Sequence, residues 1–332
     1  MKIIVMQTRI ILNYFEMMWI KVCRFLAAAG RAGRLAVLSL AGVAVLAGCA
    51  TPGAGVPATA PAVPVPAIRP VKIGLALGGG AARGFAHVGV IAVLEEAGLK
   101  PSLVVGTSAG SLVAALYASG KSSAQLQQTA LKMEEVAITD WMLPIVGRGM
   151  FRGEALGRYV NDLLAGRLIE NMAMPLGIVA TDLNSGQPVL FQRGDTGTAV
   201  RASSAVPAVF VPVKINGREY VDGGLASPVP VRFARQMGAE LVIAVDISSL
   251  PESNPAEGTL QILLQTFAIM GKSINQYELK DADVVVQPSQ AGLKGADFSA
   301  RQRAIDAGRA AMQAALPTLR ARLDVMRAAA AR

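Results

Sequence analysis

The sequence predicts an α/β fold, a mostly parallel sheet with helices on both faces. Three observations carry that reading. The apolar runs Val71–Leu77, Leu103–Val105 and Leu241–Val245 have the length and β-branched content of buried strands. The stretches between them space their apolar residues for helices, as do Val88, Ile91, Val93 and Leu94 before Gly98. Two of the strands also run straight into glycine turns that open onto helices, at Gly78–Gly84 and at Gly106–Gly110.

The chain has 332 residues, 52% hydrophobic and 17% charged, enough to bury the core of one large domain. Its formal charge of +9 is unevenly placed. Residues 1–48 hold six basic residues against one acid, which leaves 26 against 22 in the remainder. No basic stripe interleaved with aromatics stands out, so nucleic acid is excluded as a partner.

The amino-terminal part reads as targeting. Arg31 and Arg34 precede the apolar run Leu35–Ala47, and small residues close it. That is the layout of a secretory signal, and the run is shorter than the ~20 residues a transmembrane helix needs. Leu46-Ala47-Gly48-Cys49 resembles the bacterial lipoprotein box, which makes Cys49 the expected lipid anchor and 1–48 the signal segment. Such a signal exceeds the usual ~15–30 residues, and Met17 or Met18 offers an alternative start. Cys23 is the other cysteine and leaves with the signal, so neither a disulfide nor a thiolate metal site is expected. Residues 49–70 form the lipidated cysteine and a Pro/Ala-rich spacer, semi-rigid and on the order of 60 Å long at ~3.1 Å per residue.

The catalytic core is expected over 71–250, with 251–332 supplying a strand and helices that complete the same domain. In order, Val71–Leu77 is the first strand and the glycine turn leads into the first helix. Read as a dinucleotide fingerprint, that turn fails. Counted from Gly78, G-x-G-x-x-G puts Arg83 in the last place, and the acidic residue expected after the second strand is missing. Its backbone N–H groups suit an oxyanion better.

Leu103–Val105 then enters Gly106-Thr107-Ser108-Ala109-Gly110, a G-x-S-x-G nucleophile elbow, in which a sharp strand-to-helix turn lifts the serine hydroxyl. The two glycines relieve the crowding of that turn. A helix over about 124–136 follows. The segment Trp141–Gly147 reads either as a core flap or as a lid on an acyl site. After a helix around 154–164, Leu176–Asp182 and Pro188–Phe191 form a hairpin at Asn184-Ser185-Gly186, and 200–207 forms a short helix. Asn216-Gly217 makes a second hairpin between Val211–Ile215 and Arg218–Val221, leading directly into Asp222-Gly223-Gly224. A helix around 231–237, the strand Leu241–Val245, a helix around 260–277, the strand Asp283–Val286 and a long helix complete the alternation.

Ser108 needs a base. The single histidine, His87, offers a Ser-His-Asp arrangement, and Asp222 is its rival. A carboxylate with an ordinary pKa near 3.9 is a weak base, but a desolvated one facing a serine can serve. Asp182, at a strand end, reads as a turn residue.

The glycine loop ending Arg83-Gly84, Ala86-His87-Val88-Gly89-Val90, Gly106-Thr107-Ser108-Ala109-Gly110, Ala202-Ser203-Ser204-Ala205-Val206-Pro207 and Asp222-Gly223-Gly224 together resemble the bacterial branch of the patatin-like phospholipases. Their order and spacing agree over Val71–Ser248. The resemblance implies a patatin-like Ser-Asp hydrolase fold in which Ser108 and Asp222 form a dyad without histidine. It also implies that Gly79, Gly80 and Ala81 line the oxyanion hole with the N–H of Ala109. Arg83, Gly84, Gly106, Gly110, Gly223 and Gly224 support the motifs. Ala81 stands where the family usually has glycine.

The expected activity is acyl-ester hydrolysis on phospholipids or related lipids, with no metal or cofactor implied. The expected place is the bacterial cell envelope, anchored through Cys49 and facing the periplasm from the outer membrane in a Gram-negative host. A lipid-binding scaffold lipoprotein and an acyltransferase on the same fold are the rival readings. The oligomeric state is left open.

Overall fold

The computed structural model describes residues 70–134, 140, 148–248, 257–289 and 297–330. The signal segment, Cys49, the spacer before Pro70 and the Trp141–Gly147 segment lie outside the described residues.

Eight strands form one mixed sheet: β1 (Ile73–Leu77), β2 (Leu103–Thr107), β4 (Leu176–Asp182), β5 (Pro188–Phe191), β7 (Val213–Ile215), β8 (Arg218–Asp222), β9 (Leu241–Val245) and β10 (Val284–Val286). Two short strands, β3 (Gly149–Phe151) and β6 (Ala208–Phe210), pair apart from it. Across the main sheet the order is β10-β9-β1-β2-β4-β8-β7, with β5 beside β4. The first five of that path run parallel, and β5, β7 and β8 are antiparallel to their neighbours.

The helices are α1 (Ala86–Glu96), α2 (Ala109–Ala118), α3 (Ser123–Lys132), α4 (Glu154–Leu164), α5 (Thr196–Ser203), α6 (Val231–Gln236), α7 (Thr259–Glu278) and α8 (Arg301–Ala330). Because strand side chains alternate between faces, β1 sends Ile73, Leu75 and Leu77 into one core with α1, α2 and α8. Its Ala76 goes into a second core with Val231, Phe233 and Ala234 of α6. Helices therefore cover both faces, as expected of strands buried on each side.

Two helix boundaries depart from the sequence reading. The helix expected over 200–207 spans Thr196–Ser203, because the Asp195 carboxylate accepts the Thr198 N–H at 2.7 Å and caps it earlier. The helix expected to reach 136 stops at Lys132, where Met133 turns to an extended conformation.

The decisive register lies on β4. Val179 pairs with Thr107 of β2 and with Leu190 of β5, so those two strands lie on opposite edges of β4. Ala180 pairs with Val189 of β5 and with Asp222 of β8. Strands β2 and β8 therefore share one edge of β4, end to end, and run toward each other. Thr107 and Asp222 face successive residues of the same strand.

Candidate active site

That register brings Ser108 to Asp222. Ser108 is the residue after Thr107 and stands at φ 53°, ψ −124°, a backbone conformation rare for a residue with a side chain. The turn holds because the chain packs tightly around it. A Cβ on Gly106 would lie 2.3 Å from the Gly110 carbonyl, and one on Gly110 would lie 2.2 Å from the Leu77 carbonyl. No larger residue fits at either position, which accounts for both glycines of the elbow. The Ser108 N–H donates to Ser203 Oγ at 2.8 Å, and the Ser203 hydroxyl in turn donates to the Val179 carbonyl.

The Ser108 hydroxyl donates to Asp222 Oδ2 at 2.7 Å. The other carboxylate oxygen accepts the Gly224 N–H at 2.7 Å. The backbone of Asp222 is pinned as well: its N–H donates to the Ala205 carbonyl, and its carbonyl accepts the Thr181 hydroxyl at 2.9 Å. Burial pushes the Asp222 carboxyl up to about 6, with the bonds from Ser108 and Gly224 pulling the other way. A Cβ on Gly223 would lie 2.2 Å from the Val179 carbonyl, so the chain leaving Asp222 can pass there only as glycine.

His87 is fully buried, and its Nε2 lies 2.8 Å from the Gly78 carbonyl. Burial pushes the imidazole down to about 4, so it is neutral and donates to that carbonyl. Its ring braces the glycine turn from below. Arg83 is also buried, and its Nε donates to the Ile247 carbonyl at 3.0 Å. Asp182 accepts the Asn184 and Ser185 N–H groups and the Arg218 guanidinium, which makes it a turn residue.

The glycine turn lies beside the serine. A Cβ on Gly79 would come within 3.2 Å of the Ser108 Cβ, and one on Gly84 within 2.9 Å of the Ala109 Cβ. Gly79 lines the site but is not a donor to it. Its N–H is committed to the Pro228 carbonyl at 3.0 Å, which corrects the expectation that its amide serves an oxyanion. Gly80, Ala81 and Ala109 stand at the starts of a 3-10 turn and of α2, where backbone N–H groups have no acceptor within the helix. Ala81 stands at φ 50°, in the left-handed region that favours glycine.

An apolar cavity of about 290 Å³ opens at Ser108 and Ala109. Phe85, Leu112, Leu116, Leu126, Phe210 and Phe298 are among its walls. Among the described residues no group of three His, Cys, Asp or Glu side chains is placed to hold a metal ion.

The arrangement thus combines a serine hydroxyl on a carboxylate, helix amino termini in the adjoining turns and an apolar chamber in front. The family model for patatin-like phospholipases matches residues 75–235, a stretch that holds both glycine turns, Ser108 and Asp222. Residues 75–235 are therefore a patatin-like phospholipase domain.

An uncharacterized NTE family protein of Mycobacterium tuberculosis is 35% identical over 192 residues, 56% of this chain and 51% of that protein. The human patatin-like phospholipase domain-containing protein 6 is 33% identical over 229 residues, 67% of this chain and 16% of its own length. This chain therefore spans about half of the first relative and a small part of the second. Among solved structures, VipD from Legionella pneumophila aligns over 75% of this chain and 67% of its own at 14% identity, with a TM-score of 0.49. ExoU of the Pseudomonas aeruginosa type III secretion system, in complex with SpcU, aligns over 75% and 53% at 18% identity, with a TM-score of 0.41.

Within the patatin-like domain, one positioning residue escaped the sequence reading. Ser203 belongs to a motif that was recognised, but its link from Ser108 to Val179 depends on α5 crossing behind the elbow. No local signal distinguishes it from its neighbour Ser204.

Proposed function

We propose that this protein is a membrane-anchored serine acyl hydrolase that cleaves acyl esters of phospholipids or related lipids. The observation that carries the reading is the 2.7 Å bond from the Ser108 hydroxyl to the Asp222 carboxylate at the mouth of an apolar cavity. An acyl chain in that cavity sets its ester carbonyl over Ser108. Ser108 Oγ attacks the carbonyl carbon while Asp222 accepts the hydroxyl proton. The tetrahedral oxyanion receives hydrogen bonds from the N–H groups of Gly80, Ala81 and Ala109, which are fixed before the charge develops. Collapse expels the alcohol portion, which takes the proton from Asp222 and leaves the acyl group on Ser108. Water then attacks the acyl-enzyme carbonyl, giving its proton to Asp222; the bond to Ser108 breaks, Asp222 returns the proton to Ser108 Oγ, and the fatty acid leaves.

Burial of Asp222 supports this role, since a carboxylate raised to about 6 is a better base than an ordinary one and is still ionised at neutral pH. His87 is committed to the Gly78 carbonyl and takes no part. The lipoprotein box at Leu46-Ala47-Gly48-Cys49 supports anchoring by acylation of Cys49. Ala50 in place of aspartate after that cysteine supports the outer membrane as the destination in a Gram-negative host. The test is incubation of the purified chain and of Ser108→Ala with a panel of phospholipids and soluble esters, with fatty acid release as the readout. Release by the unaltered chain and none by the variant is the expected result. Tight lipid binding without release would favour the scaffold reading, and transfer to an added alcohol in place of release would favour the acyltransferase. Fractionation of cells carrying Cys49→Ser tests the anchor.

A further inference from the structure

Helix α7 is the one long helix of the domain that is hardly packed. Of its twenty residues only Gly271 and Asn275 are buried. Both stand at the carboxyl edge of the sheet, the edge that carries Ser108. Gly271 lies against Pro228, whose carbonyl holds the Gly79 N–H. Asn275 bonds Ser248 and Asp246, just past the end of β9. Two turns later the chain has reached the other end of β9, where the Asp283 N–H donates to the Val242 carbonyl. The helix therefore descends from the carboxyl edge, and the turns before Gly271 extend beyond it on the active-site side of the sheet.

Those turns have an unusual composition. Thr259 to Gly271 contains no charged residue and reads Leu260, Ile262, Leu263, Leu264, Phe267, Ala268, Ile269 and Met270 among its thirteen positions. Leu260, Leu263, Phe267 and Ala268 are half-buried, whereas Ile262 is 55%, Ile269 52% and Met270 47% exposed. At 100° per residue, Ile262 and Ile269 lie on one side of the helix, and the half-buried Phe267 and buried Gly271 on the other. An exposed apolar face without charge over thirteen residues, beside the mouth of a cavity that suits an acyl chain, fits a helix lying in the interface of a bilayer with that face toward the acyl chains. At ~1.5 Å per residue the stretch is about 20 Å long, short of a ~30 Å hydrocarbon core. Accordingly no described helix is long and apolar enough to cross a membrane. Charge begins where the apolar stretch ends, at Lys272, and continues with Glu278, Lys280 and Asp281; the Lys280 ammonium lies 5.0 Å from the Tyr277 ring. Apolar turns followed by charged residues and a tyrosine match the order of acyl chains and interface.

We propose that Thr259–Gly271 is a bilayer-docking element that enters one leaflet and brings the Ser108 mouth down onto its lipid substrate. The inference deepens the hydrolase reading and rests on it. The anchored Cys49 holds the domain near a membrane, and α7 then sets its orientation on the surface. Below Gly271, the Glu278 carboxylate accepts the Ser227 hydroxyl at 2.8 Å, and the Ser227 carbonyl accepts the Thr107 hydroxyl. The docking helix is thereby fastened to the loop that follows Asp222 and to the residue before Ser108.

Two measurements on the full chain test this, both with Cys23→Ser and Cys49→Ser so that acylation plays no part. In the first, a polarity-sensitive fluorophore is placed at Ile269→Cys, and at Val325→Cys on α8 as the control. Vesicles of phosphatidylethanolamine with phosphatidylglycerol as the minor lipid should brighten and blue-shift the label at 269 and leave that at 325 unchanged. No response at 269, or a response that follows protein concentration without vesicles, overturns the docking element, the latter in favour of self-association. In the second, Ile262→Ser, Ile269→Ser and Met270→Ser are combined. Hydrolysis of vesicle phospholipid should fall by about tenfold or more, since three large apolar groups no longer leave water, while the rate on a soluble short-chain ester stays within about twofold. Equal rates on both substrates overturn the inference. Absence of any ester turnover in the unaltered chain removes the hydrolase reading instead, and the fluorescence result then decides the docking alone.

Discussion

Replacing Asp222 with asparagine should abolish activity and at the same time stabilise the fold, because the two effects have one cause. The carboxyl is raised from its ordinary 3.8 to about 6, chiefly by burial. At ~1.36 kcal/mol per tenfold change in proton affinity, that rise amounts to roughly 3 kcal/mol of folding free energy given up to keep the buried group ionised. The folded state binds the proton more tightly than the unfolded chain, so this contribution is favourable at low pH and is lost as pH climbs from about 3.8 to about 6. Asp222→Asn carries no such charge. Its stability advantage should therefore be about 2–3 kcal/mol at pH 8 and shrink toward zero near pH 4, read by urea unfolding at the two pH values. Hydrolysis by the variant should fall by about 10³-fold, within the range for a lost general base. In the unaltered protein kcat/KM should decline tenfold per pH unit below about 6, where Asp222 becomes protonated. A variant no more stable than the parent at pH 8, or a parent rate that stays flat down to pH 4.5, would refute the reasoning.

Ser108→Ala should remove nearly all hydrolysis with the fold intact, and combining it with Asp222→Asn should cost little more, because dyad members act as a unit; additive losses in kcat/KM would count against the pair. His87→Ala should keep its activity within about tenfold while losing roughly 2–4 kcal/mol of stability, since it opens a cavity and strips the buried Gly78 carbonyl of its donor. A loss of rate as large as that of Ser108→Ala in a folded protein would restore histidine to the mechanism. Ala81→Gly should stabilise by about 0.5–1 kcal/mol, because relief of the left-handed backbone outweighs the added freedom of the unfolded chain. That corresponds to a rise in Tm of about 1–4 °C with activity retained.

Much of this architecture is local in origin and so legible in the residues. The β1 and β2 turns announce themselves because only glycine fits at Gly80 in the first and at Gly106 and Gly110 in the second. Asn216 and Gly217, at φ 50° and 82°, make the hairpin that aims Asp222. Asp222 stood out for the same reason, placed between a tight hairpin and two glycines. What sequence could not show depends on contacts far apart in the chain. The N–H of Gly79 is taken by Pro228, which lies on a later loop, so an amide that looked free in the turn is not. The start of α5 was misplaced because Asp195 had to be recognised as a cap ahead of a weakly patterned helix. Helix α7 was located by its apolar content, yet that content normally signals burial, and exposure at Ile262 and Ile269 is a fact of tertiary structure.

The end-to-end meeting of β2 and β8 along β4 has a consequence for how the enzyme fails. Ser108 is secured by the parallel strands and their helices, whereas Asp222 arrives on β8, which joins β4 through three residue pairs and carries β7 on its other side, at the margin of the sheet. β7 is three residues long and has no further neighbour. Marginal strands of this kind open at lower free energy than a central parallel core. Fraying of β8 would separate Asp222 from Ser108 with the central parallel strands still paired, and amide exchange on β8 compared with that on β1 would reveal it. The molecule can thus fall silent while still almost wholly folded, and recover its activity by closing two strands.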